Sequence, residues 1–144
     1  MQIDVNGIKI TLTADQLKEI DRKVKKTKFK SPSDINSHED ACEILGTEVS
    51  KDITNDSKLK TIIKAANYLD NGNKEWEADW DNRDQRKNFV YLEKTSSGWV
   101  VDSGYYYVSA TLGSGFYYKE ANTALLIARK FLNPYYVNYV TGKE

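Results

Sequence analysis

Apolar and polar positions alternate along QIDVNGIKITL, residues 2–12, on either side of Asn6-Gly7. Asn-Gly is the preferred pair for a type I′ turn, so the stretch predicts a hairpin with Val5 opposite Ile8 and Ile3 opposite Ile10. Those four side chains and Leu12 share one face, while Asp4 and Lys9 pair on the other. The period then lengthens. Thr13 and Gln16 fit a capping box, Leu12 and Leu17 take the hydrophobic-staple positions, and Leu17, Ile20 and Val24 recur at helical spacing. A helix ending near Lys26 is predicted. Pro32 and a Ser/Asp/Asn cluster break the pattern over 27–36, which reads as a loop or tether. A lone hairpin is marginal in water, so this one is expected to dock.

Ser37 is placed to cap a short helix, HEDACEIL, closed by Gly46, with Ala41, Ile44 and Leu45 facing inward. Leu59, Ile62, Ile63, Ala66 and Leu69 keep helical spacing up to Gly72. From residue 88 the period shortens again. NFVYLEK, GWVVDSGYYYV and GSGFYYK predict three strands rich in the aromatic and β-branched residues that strands favour. EANTALLIARKFL predicts a last helix that buries Ala121, Ala124, Leu125, Ala128 and Phe131 or Leu132. Pro134 ends or kinks it, and the aromatic tail after it is expected to dock on the core.

The fold class is therefore α+β: an N-terminal β-hairpin plus helix, a helical pair, a small antiparallel aromatic-rich sheet and a C-terminal packing helix. The organisation expected is a hairpin-helix leader (1–26), a basic loop or tether (27–36) and a main α+β domain (37–144).

Composition narrows the function. The chain has 144 residues, which suits one main core, and a formal net charge of zero, which argues against a uniformly basic nucleic-acid binder. A single cysteine, Cys42, and a single histidine, His38, leave too few ligands for the usual metal sites, so no metal or cofactor is expected. No eighteen-residue apolar run occurs, and MQIDVNGIKI has neither a basic start nor an apolar core of a signal peptide. No membrane association and a cytoplasmic location are expected. Charge is nonetheless segregated. RKVKKTKFK (22–30) has six bases and no acid, whereas DNGNKEWEADWDNRD (70–84) has six acids against two bases.

Four groups of residues carry candidate chemistry. His38 and Cys42 stand four apart, as a thiol–imidazole pair would; the bland alternative is a first-turn histidine and a small core thiol. Trp76 and Trp80 also stand four apart and form either a recognition surface or a cover over the core. Arg22, Lys23, Lys25, Lys26, Lys28 and Lys30 suit phosphate or an acidic surface, or serve as a solvated helix end. Tyr105, Tyr106, Tyr107, Phe116, Tyr117 and Tyr118 crowd the strand region. Alternation along a strand turns half of such rings inward and half outward. Stacking on single-stranded nucleic acid would need a basic groove beside these rings, and the bases lie mostly elsewhere. Outward-facing tyrosines therefore fit a protein partner, with Tyr105, Tyr106, Tyr107, Tyr117, Trp76 and Trp80 as its contacts.

HEDACEILG, KLKTIIKAANYLDNG, WEADWDN and GSGFYYKEANTALLIARKF, read in that order, resemble a family of small phage and prophage proteins of gut-type anaerobic bacteria, over about residues 37–132. VNGIKITLTADQLKEI is similar to the hairpin-helix leader found on such proteins. The family pattern has a proline ahead of the second tryptophan and a helix continuing through position 134; this chain lacks that proline and carries Pro134 where the helix would continue. The resemblance places the tryptophan turn at the seam between helix and sheet. It implies a phage origin and no particular chemistry. Together with the absence of a catalytic constellation, it leads to the expectation of a non-enzymatic binding protein in the host bacterial cytoplasm. Such a protein would inhibit or redirect a bacterial protein or ribonucleoprotein machine, for example as an anti-CRISPR or other anti-defence inhibitor. The alternative is an RNA- or single-stranded-DNA-binding accessory protein of phage replication or transcription.

Overall fold

The structure, a computed structural model, describes residues 2–108, 115–131, 135 and 137, with the backbone alone at residues 3, 5, 22 and 25–27. Strands β1 (Gln2–Val5) and β2 (Ile8–Thr11) form the first hairpin. Asn6 (φ 53) and Gly7 (φ 82) both take the left-handed conformation that a type I′ turn requires. The register is the one the pattern predicts: Val5↔Ile8, Ile3↔Ile10 and Asp4↔Lys9. Helix α1 (Ala14–Lys28) follows. Its capping box is complete: the Thr13 backbone N–H donates to Gln16 Oε1 (2.9 Å), and the Gln16 N–H donates to Thr13 Oγ1 (3.2 Å). The helix runs two residues past the expected end at Lys26.

The expected tether at 27–36 is instead packed. Phe29, Pro32 and Ile35 are buried around a 3-10 turn at Pro32–Asp34. Asp34 Oδ2 accepts the backbone N–H groups of Lys30 (2.8 Å) and Ser31 (3.0 Å), which organises the turn. Phe29, Pro32 and Ile35 recur every three residues, as in a 3-10 turn, but Pro32 and the Ser/Asp/Asn cluster around them read as a break in the pattern.

Helix α2 (His38–Leu45) starts at Ser37, whose Oγ accepts the Asp40 N–H, and stops at Gly46 with φ 68. Helix α3 (Asn55–Asp70) is capped by Thr54 and turns out through Gly72 at φ 66. The core forms where α3 meets the segment around Ile35, strand β3 and the last helix. Its members include Ile35, Leu59, Ile62, Ile63, Ala66, Val90, Phe116, Tyr118, Ile127 and Phe131.

Strands β3 (Lys87–Thr95) and β4 (Gly98–Tyr106) form an antiparallel ribbon in continuous register from Lys87↔Tyr106 to Thr95↔Gly98. Where the third strand is expected, the described residues make one antiparallel bridge, Asn88↔Tyr118. Side chains do the rest of the joining. Asn67, buried in α3, donates from Nδ2 to the Tyr117 carbonyl (2.9 Å) and accepts the Lys119 N–H at Oδ1 (2.9 Å). Asn88 Nδ2 donates to the Lys119 carbonyl (2.8 Å). The 116–119 segment is thus held between a helix and a strand, and Phe116, Tyr117 and Tyr118 are all buried. The in–out alternation expected of them fails because this segment is not an edge strand with one wet face.

Helix α4 (Ala121–Lys130) covers the ribbon. Ala124, Ala128 and Phe131 are buried as expected, and Ile127 joins the core where Leu125 was expected to be the deeper residue. Tyr135 packs on Phe131 with ring centroids 5.8 Å apart. Leu132, Pro134 and most of the aromatic tail lie outside the described residues.

Among the described side chains, the leader's expected docking face is not buried: Ile8 is 66% exposed, Ile10 40%, and Ile20 of α1 46%.

Candidate binding groove

The connection between α3 and β3 is polar and carries no regular secondary structure, yet it is tightly organised. Its Asn, Asp and Gln side chains hold its own backbone. Asp79 Oδ1 accepts the N–H of Asp81 (3.0 Å), and Asn82 Oδ1 accepts the N–H of Asp84 (3.0 Å). Gln85 Oε1 accepts the Asp79 N–H and its Nε2 donates to the Glu77 carbonyl. Asp79, one of the six acids of 70–84, therefore serves turn chemistry. Lys87 completes the arrangement. Its side chain is fully buried, and its Nζ donates to the carbonyls of Asn82 (2.7 Å), Gln85 (2.8 Å) and Tyr107 (2.8 Å). The ammonium also lies 5.4 Å from the Trp80 ring centre.

This connection forms one wall of a groove of about 660 Å³, whose other wall is the exposed side of α2 and α3. Trp76, Trp80 and Tyr117 line it together with Lys60 and Lys64. The two tryptophans reach the same groove from an irregular loop, not from a helical turn. Both are half-buried, and Trp80 meets Tyr117 edge-on at 4.9 Å. Lys64 pairs with Glu75 across the groove (3.2 Å), and Lys60 pairs with Asp56 (2.9 Å) and stands over Phe116.

His38 and Cys42 lie at the groove's inner edge, with Nε2 and Sγ 3.4 Å apart. Burial pushes the His38 pKa below its ordinary value of 6.5, outweighing the opposing effect of Glu39, and Lys58 pushes the same way. The imidazole is neutral near pH 7. Among the described residues, no group of three His, Cys, Asp or Glu side chains gathers to hold a metal ion. No described helix is long and apolar enough to cross a membrane.

The aromatic contacts continue from the groove onto the ribbon. Tyr117 meets Phe89 edge-on (6.4 Å), Phe89 stacks on Tyr106 (4.8 Å), and Tyr91 lies beside Phe89 (6.5 Å). Tyr91 is exposed and its hydroxyl donates to Asp102 Oδ2 across the strands (2.9 Å). The Ser103 backbone N–H and this hydroxyl together hold the Asp102 carboxyl below its usual range.

The expected partner contacts thus divide three ways. Trp76, Trp80 and Tyr117 come together in the groove, but Tyr117 is 3% exposed and acts as a floor, not as a projecting anchor. Tyr106 joins them through Phe89 and is half-buried. Tyr105 and Tyr107 are exposed elsewhere, edge to face at 5.7 Å, with the Arg86 guanidinium 3.9 Å from the Tyr105 ring centre. Of the basic series, Lys28 is committed to Glu43 (2.6 Å) and Lys23 lies 3.8 Å from Glu19. Lys30 is exposed, and the side chains of Arg22, Lys25 and Lys26 lie outside the described residues. Sequence reasoning missed Phe89, Tyr91, Lys60, Lys64 and Lys87. The spacing of Lys60 and Lys64 on one face of α3 was visible, but nothing in the chain pointed to Lys87.

No family model, curated protein or solved structure matches this chain.

Proposed function

We propose that this chain is a non-enzymatic binding protein that takes a segment of a partner protein into the Trp76–Trp80 groove. The observation that carries this is the half-buried pair of tryptophans, set on a rigid loop over the Tyr117 floor. Preorganised aromatic side chains give large contact area at little entropic cost. Lys60, Lys64, Glu48, Glu75 and Glu77 all line the groove and give its rim both signs of charge. A mixed rim suits a peptide with its own charges better than a phosphate backbone, which calls for surplus positive charge. The pairing of Lys28 with Glu43 further weakens a dedicated nucleic-acid face.

The resemblance to phage and prophage proteins suggests the partner's class: a bacterial protein or nucleoprotein machine, including defence systems such as CRISPR effectors. Occupying a working surface of that machine would inhibit or redirect it without chemistry on this side. The second reading, an RNA- or single-stranded-DNA-binding accessory protein, draws on the exposed Tyr105, Tyr107 and Arg86 cluster.

The test is capture from nuclease-treated bacterial lysate by the tagged chain and by a Trp76→Ala, Lys64→Glu variant. Proteins retained by the first and lost by the second support the groove reading. Equal retention by both would overturn it. Capture that disappears with nuclease treatment would move the function to the Arg86–Tyr105–Tyr107 cluster.

A further inference from the structure

The tryptophan groove carries charge that the fold itself does not neutralise. Both of its lysines are engaged, Lys60 by Asp56 and Lys64 by Glu75. Its acids are not all engaged. Glu75 is taken up by Lys64, but among the described residues Glu48 and Glu77 have no ion-pair partner. Both are exposed. Once the internal pairs are set aside, the charge left to meet a partner is negative. The connection that forms one wall has the same sign, since residues 74–85 carry five acids against two bases.

The aromatic side of the groove divides in the same way. Trp80 is engaged by the Tyr117 ring and the Lys87 ammonium. Trp76 is half-buried, and no described ring or cation lies against it. It sits between Glu75 and Glu77 in the chain, and all three line the groove. An uncommitted indole beside uncommitted carboxylates favours a cationic side chain. The ring quadrupole and the carboxylates both attract positive charge, and both repel a carboxylate or a phosphate.

We infer that the partner segment taken by this groove is basic, with an arginine or lysine side chain laid on Trp76 and paired with Glu48 or Glu77. The inference rests on the function proposed for the groove and adds the chemistry of its occupant. It also gives a role to acid in 70–84 that turn chemistry does not use. Arginine suits the site best, because its planar guanidinium both stacks on an indole and forks onto a carboxylate.

NMR of the full chain tests this with two probes, N-acetylated tetra-arginine amide and N-acetylated tetra-glutamate amide. The chain has three tryptophans, and Trp76→Ala identifies the indole N–H peak of Trp76. Tetra-arginine at up to about 5 mM should shift that peak, and tetra-glutamate should not. Replacing Glu48 and Glu77 together by Gln should weaken tetra-arginine binding at least about fivefold. Asp81→Asn, on the same connection but outside the groove lining, should leave it unchanged. Lys64→Glu would set two carboxylates against each other and disturb the walls whatever the occupant, so these variants leave Lys64 in place. A Trp76 peak moved by tetra-glutamate instead, or by neither probe, overturns the inference while Trp76-dependent protein capture keeps the groove reading standing. Equal weakening by Asp81→Asn also overturns it, by reducing the effect to general acidity. Lysate capture that Trp76→Ala leaves intact would remove the groove reading and this inference together.

Discussion

The ring of Phe89 lies directly on Gly104, its cross-strand neighbour in the β3–β4 ribbon. A Cβ at position 104 would stand 2.6 Å from Phe89 Cζ and within 3.2 Å of both neighbouring ring carbons. The ring cannot swing away freely, because it stacks on Tyr106 and meets Tyr117 edge-on. Gly104→Ala should therefore destabilise the fold by about 1–3 kcal/mol, as overpacking does. Denaturant titration checks this. Adding Phe89→Leu should recover part of the loss, because it removes the ring that the new methyl group strikes.

Lys87 should be irreplaceable by an apolar residue of similar length. Lys87→Met fills the space but leaves the Asn82, Gln85 and Tyr107 carbonyls without their shared donor. A loss of about 3 kcal/mol is expected. Amide exchange should show 82–86 opening first, and groove binding should weaken with it.

The two tryptophans should separate by function. Trp80→Ala removes an edge contact with Tyr117 and a ring facing the Lys87 ammonium, so it should cost about 2 kcal/mol of stability. Trp76→Ala should leave the melting temperature nearly unchanged while reducing partner capture at least about tenfold. Equal stability losses for the two variants would place Trp76 among the structural residues.

His38 makes stability depend on pH near neutrality. Burial holds its folded pKa below the ordinary 6.5, so the unfolded chain binds the proton more readily. Stability is then full above about pH 6.5 and falls as pH drops from there towards the folded value, by up to about 1.4 kcal/mol per pH unit. His38→Gln should flatten that slope in urea titrations between pH 7 and 5. Asp70 works in the opposite sense. Burial raises its pKa, so its contribution diminishes as pH rises through the carboxylate range. Its effect therefore cannot be mistaken for that of His38.

The hairpin turn, the capped helix starts and the ends at Gly46 and Gly72 were legible because each rests on local chemistry within a few residues. The strand pair at 87–106 was legible for the same reason. The packing of Phe29 and Ile35 was not, since burial there depends on α3 and α4, far along the chain. The third strand was legible only in part, because composition fits a strand equally well when much of the pairing is made by asparagine side chains. Asn67 and Asn88 supply that partner, and asparagine in sequence reads as turn or surface. The groove was half legible: the tryptophans stood out, while the wall that makes them a site comes from a helix ten to twenty residues earlier.

Among the described lysines, Lys87 has an amine sealed inside the fold with all three of its protons committed to carbonyls. An amine-reactive label should leave it for last. The slow incorporation at this one site, read by mass spectrometry against fast surface lysines such as Lys30, would act as an internal clock. It would time how often the connection around the groove comes apart, and show whether a bound partner stops the clock.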